Sequence, residues 1–165
     1  MLKEPLVGLD KVLSDLDDAL ERIDLRTIDI VTFSGTGEPT LNLSLGEIAE
    51  QVKAKIGTLP MAILTNSSLF YRADVRRSLS KFDVVVAKLD AGDDEAFRLI
   101  NRPADRDLRI STLIESIKRL KGEVKGSLAL EVMLLHLENG KVTNIKGRHL
   151  KRLIDAIIEV QPDIV

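Results

Sequence analysis

The chain has 165 residues and a formal net charge of −2, with 44% hydrophobic and 30% charged residues, so its charge gives no reason to expect nucleic acid or a membrane surface as a partner. It contains no cysteine, which excludes disulfides, thiolate metal ligands and a cysteine nucleophile. No apolar run approaches the roughly 18 residues of a membrane span, and residues 1–11 lack the apolar region of a signal peptide. We therefore predict a single cytoplasmic domain over residues 1–165.

Short apolar runs rich in β-branched residues alternate with longer segments of helical period, which is the pattern of βα units packed around a parallel sheet. The predicted strands lie at 28–34, 60–65, 83–89, 127–135 and 163–165, and the predicted helices at 9–23, 44–56, 72–80, 93–100, 109–121 and 147–160. A first helix with no strand before it, and a last strand cut short, predict that the chain is part of a longer (β/α) protein.

Local signals mark several helix ends. Ser44 and Glu47 have the spacing of a capping box, in which each side chain bonds the backbone N–H of the other residue, and Gly57 ends the same helix. Pro103 forces a break between the helices at 93–100 and 109–121. These signals predict where the connecting loops lie.

The stretch GTGEP, residues 35–39, follows the first predicted strand, and ligands of parallel α/β proteins bind at the carboxyl ends of strands. Gly35 and Gly37 permit positive φ angles and close approach of a ligand to the backbone, and Glu38 offers an acceptor to a cationic group. Thr40 stands where a dinucleotide fingerprint needs its third glycine, so a pyrophosphate site is disfavoured. A plain tight turn is the alternative interpretation.

Charged residues interrupt two other apolar strands. In DVVVAKLDAG the period of two puts Lys88 and Asp90 on one face at the carboxyl end, and we expect this strand to be covered on both faces. Glu131 interrupts LALEVMLL in the middle of the predicted strand. A solvent-facing Lys88, and an ion pair of Glu131 with Lys88 or an arginine, are the alternatives.

Two further polar clusters lie beside element ends. Asn66 follows the second strand together with Ser67 and Ser68, where it could bind a ligand or cap a turn. Arg102, at the helix break, carries a guanidinium suited to a carboxylate or a phosphate, although a solvated surface position is the more common one.

In their order along the chain, four of these stretches resemble the radical S-adenosylmethionine (SAM) superfamily, and within it the Fe-S oxidoreductase group related to the wyosine-tRNA synthases. The matching stretches are DIVTFSGTGEPTL for the Gly-Gly-Glu strand end, AILTNSSL for the Thr-Asn-Gly strand end, VVAKLDAGDDEAFRLINRP for the fourth strand with its helix, and LALEVMLL for the fifth strand. The resemblance covers nearly the whole chain.

The resemblance implies a partial (β/α)6 TIM-like barrel, with its first strand missing and its last strand truncated, in which SAM lies across the carboxyl ends of the strands. The residues implied to bind SAM or the substrate are Gly35, Thr36, Gly37, Glu38, Asn66, Lys88, Asp90 and Glu131. The glycine-rich turn would hold the methionine ammonium through backbone oxygens. The substrate stays open between a tRNA base, a peptide and a metabolite, and exposed barrel edges would favour self-association.

The chain departs from that superfamily in its chemistry. The superfamily holds a 4Fe-4S cluster on a CxxxCxxC loop after its first strand, so for this cysteine-free chain the cluster is expected only in a full-length protein with upstream cysteines. Thr36 and Ser67 stand where the superfamily has glycines. We therefore expect a catalytically incomplete SAM-binding core with no metal ligands of its own. The alternatives are an aldolase-type barrel with Lys88 as its Schiff-base lysine, and a non-enzymatic binding module.

Overall fold

The computed structural model describes residues 7–137 and 142–165, and this part of the chain contains six α-helices and four β-strands. In chain order they are α1 (Leu9–Leu20), β1 (Val31–Phe33), α2 (Leu45–Ile56), β2 (Met61–Thr65), α3 (Ala73–Leu79), β3 (Val84–Lys88), α4 (Asp94–Ile100), α5 (Ile110–Glu123), β4 (Ser127–Glu131) and α6 (Gly147–Val160). Short 3-10 turns at Leu25–Thr27 and Pro39–Leu41 precede β1 and α2. None of these described helices combines the length and the apolar character that a membrane span requires.

The four strands form one parallel sheet in the order β1-β2-β3-β4, so each strand pairs with the next one along the chain. Parallel neighbours need crossover connections, which α2, α3 and the consecutive helices α4 and α5 supply. The predicted α/β class with a parallel sheet is confirmed. Closure of the sheet into a barrel stays a prediction.

The hydrophobic core lies between one face of the sheet and the helices. The buried residues that β2, β3 and β4 contribute to it are Met61, Ile63, Val85, Ala87, Leu128 and Leu130. The opposite face, which we call the open face, carries the partly or fully exposed residues Thr32, Leu64, Val84, Val86 and Ser127. The expectation that β3 is covered on both faces is therefore wrong, because Val84 and Val86 are only half-buried.

β1 is shorter than the apolar run that predicts it. It begins at Val31 rather than at residue 28, because the N–H of Ile28 bonds to the carbonyl of Leu25 and closes the preceding 3-10 turn. The N–H of Val31 then bonds to the carbonyl of Pro60, next to the start of β2. A local turn thus takes residues that the hydrophobic pattern assigns to the strand.

β4 is also shorter than predicted, since it ends at Glu131 instead of residue 135. Beyond that point, side chains replace a neighbouring strand as hydrogen-bond partners. A carboxylate oxygen of Asp90 accepts from Met133 N at 2.7 Å. The amide oxygen of Asn144 accepts from Leu135 N at 2.8 Å. The apolar run continues in the sequence, but its backbone has left the sheet, and Glu131 lies at the end of the strand rather than in its middle.

The predicted helices are all present, and the start of α2 differs in its detail. α2 ends at Gly57 as predicted, where a φ of +65° suits glycine. The predicted capping box is wrong, because Ser44 is the N-cap residue but its side chain makes no capping bond. Instead, Asn42 Oδ1 accepts from Ser44 N at 2.9 Å and fixes the chain at the helix entrance.

The last residues of the chain pair with the free side of β4, where a fifth strand is predicted. Ala129 and Ile164 form an isolated parallel bridge. Leu130 N bonds to the Ile164 carbonyl and Asp163 N to the Leu128 carbonyl, both at 2.9 Å. β4 therefore has bonding partners on both of its sides.

Candidate functional site

The carboxyl ends of the strands surround a shallow cavity of about 220 Å³. Its lining comes from the turns after β1 and β2 and from the ends of β3 and β4: Ser34, Gly35, Gly37, Glu38, Pro39, Leu64, Thr65, Asn66, Lys88 and Glu131. Six of the eight residues singled out in the sequence thus line one cavity, which we call the strand-end cavity. Thr36 lines an adjoining groove between α1, β1 and α2, which shares Gly35, Gly37 and Glu38 with this cavity. Asp90 is buried beside Lys88.

Glu38 joins the turn after β1 to the turn after β2. Its Oε1 accepts from Thr40 Oγ1 at 2.6 Å, from Thr40 N at 3.1 Å and from Thr65 Oγ1 at 2.6 Å. Its Oε2 accepts from Asn66 N at 2.7 Å. These four donors use most of the acceptor capacity of the carboxylate, so Glu38 shapes the cavity more than it offers a free acceptor to a cation.

Gly35 and Gly37 leave open space above the backbone of their turn. Neither residue has a positive φ, so the conformational freedom that glycine permits is not used at either position. A Cβ added to Gly37 would meet no atom within 4 Å, and one added to Gly35 would meet only Gly37 N at 3.9 Å. The two glycines therefore matter for access, since a ligand can reach the peptide groups of this turn without meeting a side chain.

The turn after β2 has a left-handed backbone at Ser67. This residue is fully buried and has a φ of +66°, a region that costs residues other than glycine roughly 1–2 kcal/mol. Its Oγ is buried with no hydrogen-bond partner among the described residues. Asn66 Oδ1 accepts from Ser68 N at 2.9 Å and holds the turn in this shape. The strained position is thus the one at which the resemblance described in the sequence analysis implies a glycine.

We expect Ser67→Gly to stabilise the fold by about 1 kcal/mol. Glycine relieves the left-handed backbone and removes the unpartnered hydroxyl, and these gains outweigh its greater chain entropy in the unfolded state. Urea unfolding of the wild type and the variant measures the difference. Ser68→Gly is the matched control, because Ser68 has no positive φ and its replacement is expected to destabilise by up to about 1 kcal/mol. If Ser67→Gly is no more stable than the wild type, this account of the turn is wrong.

Lys88 stands at the carboxyl end of β3 between two carboxylates. Its Nζ donates to Glu131 Oε1 at 2.8 Å and lies 3.6 Å from Asp90 Oδ1. Burial alone would lower the pKa of Lys88, but the hydrogen bond to Glu131 and the charges of Asp90 and Glu131 outweigh burial and raise the pKa. The amine is therefore held protonated near neutral pH. This disfavours the Schiff-base alternative, because a neutral amine is the nucleophile in that chemistry.

Asp90 lies behind the cavity lining rather than in it. The residue is 1% exposed, and its carboxylate accepts from Met133 N and from Asn101 Nδ2, both at 2.7 Å. The same carboxylate lies beside the ammonium of Lys88. Asp90 therefore fixes Lys88 and two neighbouring segments, and it is poorly placed to contact a ligand directly.

Asn144 carries no sequence signal, yet it is fully buried next to Asp90. Its Nδ2 donates to the Asp90 carbonyl at 2.8 Å and to the Met133 carbonyl at 2.6 Å. Its Oδ1 accepts from Leu135 N at 2.8 Å. One asparagine thus holds together the segments that follow β3 and β4, a role that a single asparagine in a polar stretch does not reveal before the chain is folded.

Several known proteins are similar to this chain in sequence, and no protein-family profile matches it. A UPF0026 protein of Methanocaldococcus jannaschii is 34% identical over 126 residues, which cover 76% of this chain and 38% of that protein. A UPF0026 protein of Helicobacter pylori is 32% identical over 159 residues, which cover 95% of this chain and 51% of that protein. A Brachyspira hyodysenteriae protein named GTPase Obg is 32% identical over 158 residues, which cover 96% of this chain and 22% of that protein. The chain thus spans about half of the length of these relatives or less.

A solved structure shares the arrangement of strands and helices. A domain of pyruvate-formate lyase-activating enzyme from Bacteroides vulgatus superimposes with a TM-score of 0.54 over 77% of this chain and 70% of that one. The sequences are 17% identical, so the likeness shows a common fold.

Proposed function

We propose that this chain is the SAM-binding core of a radical SAM enzyme, and that SAM binds in the strand-end cavity. The observation that carries the proposal is the meeting of polar groups from four strand ends at one cavity. The fold shared with the pyruvate-formate lyase-activating enzyme domain supports it. The closer relationship to Fe-S oxidoreductases akin to the wyosine-tRNA synthases is part of the proposal and rests on the four matching sequence stretches alone.

The residues of the cavity fit the polar part of SAM. The open peptide groups of Gly35 and Gly37 suit the ammonium and carboxylate of its methionine moiety. The Glu131 side chain, which is 50% exposed, offers an acceptor, while Lys88 Nζ and the side-chain Nδ2 of Asn66 offer donors. In enzymes of this class SAM supplies a sulfonium whose carbon–sulfur bond is cleaved by one electron. The role proposed for these side chains is to bind SAM and to orient its sulfonium group.

The residues do not fit a 4Fe-4S cluster. The 165 residues include no cysteine, and such clusters are held by cysteine thiolates. Within residues 7–137 and 142–165, no group of three or more His, Asp or Glu side chains is arranged to hold a metal ion. We therefore propose that the chain binds SAM without performing radical chemistry itself, the cluster belonging to a longer protein with cysteines outside these residues.

Gly37→Val tests the proposal by filling the cavity. The added side chain enters open space and Gly37 has no positive φ, so we expect the fold to be kept. In isothermal titration calorimetry, SAM is expected to bind the wild type and to bind Gly37→Val at least about tenfold more weakly, a loss of about 1.4 kcal/mol. The valine methyl groups would occupy the approach to the peptide groups of the turn.

Gly8→Val is the matched control for this experiment. A Cβ added to Gly8 also meets no atom within 4 Å, and Gly8 lies at the start of α1, outside the lining of the cavity. Its affinity for SAM should equal that of the wild type. If SAM fails to bind the wild type, the proposal is wrong and a non-enzymatic binding module becomes the better account. If SAM binds Gly37→Val as tightly as the wild type, the strand-end cavity is not its site.

A further inference from the structure

A second cavity, of about 430 Å³, adjoins the strand-end cavity, and Glu38 and Asn66 line both. We call it the loop cavity, because its walls are the turns after β1 and β2 and the loop between α4 and α5, with Tyr71 and Arg102 among its lining residues. Its volume falls within the roughly 300–1,000 Å³ that small-molecule sites occupy. The proposed function assigns no ligand to it.

The polar lining of the loop cavity is rich in hydrogen-bond donors. The side-chain Nδ2 of Asn66, the hydroxyls of Ser68 and Tyr71 and the guanidinium of Arg102 are the donors of its lining residues. Among residues 7–137 and 142–165, none of these four groups has a hydrogen-bond or ion-pair partner. Unpaired donors that line one cavity suit a ligand group that only accepts hydrogen bonds, such as a carboxylate or a phosphate.

The two carboxylates that also line the cavity are engaged with protein donors. Glu38 accepts four hydrogen bonds within the two turns. Asp105 Oδ1 accepts from Asp107 N at 2.9 Å. The loop between α4 and α5, residues 101–109, contains three arginines and two aspartates, and Arg109 pairs with Asp94 of α4. Among the described lining residues Arg102 is the cationic one, so an anion bound here would be held by its guanidinium.

Apart from Asn101, whose buried Oδ1 has no hydrogen-bond partner among the described residues, the remaining lining is apolar and suits the body of a small ligand. Phe97 and Leu108 are buried, at 4% and 7% exposure. Leu41 and Tyr71 are 43% and 49% exposed, so both have surface that a ligand could cover. Covering apolar surface of this kind is favourable, and an aromatic ring packs well against Tyr71.

We propose that the loop cavity binds a second small molecule, whose carboxylate or phosphate is held by Arg102 and the neighbouring donors and whose apolar part packs against Leu41 and Tyr71. Because the cavity shares Glu38 and Asn66 with the strand-end cavity, the second ligand would lie beside the first. Its assignment as the substrate rests on the proposed function, whereas the preference for an anion does not.

Small aromatic anions test the preference directly. Phenyl phosphate and phenylacetate represent the two anionic groups, and benzyl alcohol is the neutral analogue. In isothermal titration calorimetry with the whole chain, we expect at least one anion to bind at least about tenfold more tightly than benzyl alcohol, since hydrogen bonds to charged groups are the stronger ones. Equal binding of all three probes, or no binding of either anion, would overturn the proposal.

Arg102→Asn removes the guanidinium with little change in the backbone, because asparagine tolerates the φ of +46° found at this position. We expect the anion that binds the wild type to bind this variant about tenfold more weakly and Arg102→Lys to fall between the two. Arg77→Asn is the matched control, since Arg77 is an exposed residue of α3 outside the cavity. If Arg102→Asn and Arg102→Lys both bind the anion as tightly as the wild type, Arg102 does not hold it and the proposal fails.

Titration with SAM separates this inference from the proposed function. Arg102→Asn should leave the affinity for SAM unchanged; a parallel loss of SAM and anion affinity would place Arg102 in the SAM site and remove the second ligand. Anion binding that depends on Arg102 in a chain that fails to bind SAM would overturn the proposed function and keep the anion site. If SAM binds and neither anion binds, the proposed function is kept and the anion site is overturned.

Discussion

Gly92→Ala is expected to destabilise the protein by about 3 kcal/mol, which lowers the Tm by roughly 6–12 °C for a chain of this size. Gly92 follows β3, and its backbone lies against α6. A Cβ at this position would lie 2.0 Å from the carbonyl oxygen of Arg152 and 2.5 Å from Leu153 N. Both are backbone atoms of the helix, so no side-chain rotation relieves the overlap and α6 itself would have to move.

Movement of α6 is costly because the helix closes part of the core with its buried residues Leu153, Ala156 and Val160. Thermal and urea unfolding measure the effect. Gly122→Ala is the matched control: a Cβ there meets no atom within 4 Å, and alanine within α5 is expected to stabilise by up to about 1 kcal/mol. If Gly92→Ala is as stable as the wild type, α6 does not pack against this turn in solution.

The elements that could be predicted most closely are those with a long periodic pattern. α6 spans 147–160 as predicted, because its apolar residues recur every three or four positions and Leu153, Ala156 and Val160 face the core. The ends of β1 and β4 could not be predicted. A local 3-10 turn limits β1, and the side chains of Asp90 and Asn144 take backbone groups beyond β4. Neither a single turn bond nor a bond to a side chain of another segment leaves a trace in the hydrophobic period.

The place of the strand-end cavity follows from a general rule, since ligands of parallel sheets bind at the carboxyl ends of the strands. The bonds within it do not follow from the sequence. Glu38 and Thr65 are 27 residues apart and meet only once β1 and β2 have paired. The sequence therefore predicts Glu38 to be a free acceptor, whereas in the structure its carboxylate is already bonded to protein donors.

The charged residues at this edge of the sheet fall into two groups. Glu38 and Asp90 bond mainly to the protein itself, so their replacement should change stability first and ligand affinity as a consequence. Lys88 and Glu131 pair with each other, yet their side chains are 29% and 50% exposed, which leaves both able to contact a ligand. Affinity changes in variants of this second pair are therefore the more direct evidence of binding.

Asn144→Ala is expected to destabilise the protein by about 3 kcal/mol or more. In the wild type the buried side chain serves three backbone groups: the carbonyls of Asp90 and Met133, and Leu135 N. Alanine would leave these groups without their partner, at a cost of about 1–3 kcal/mol for each one that stays buried and unsatisfied. The loss should also loosen the lining of the strand-end cavity, because Asp90 lies against Lys88.

Urea unfolding of Asn144→Ala, compared with Asn66→Ala, checks this expectation. Asn66 is exposed, and its side chain accepts from one backbone group, Ser68 N, so its replacement should cost no more than about 1 kcal/mol. A large difference between the two variants would show that burial, and not merely the loss of an amide, sets the cost. If both variants lose the same small amount, the bonds of Asn144 do not hold the segments after β3 and β4 together, and the position of Asp90 behind Lys88 must have another cause.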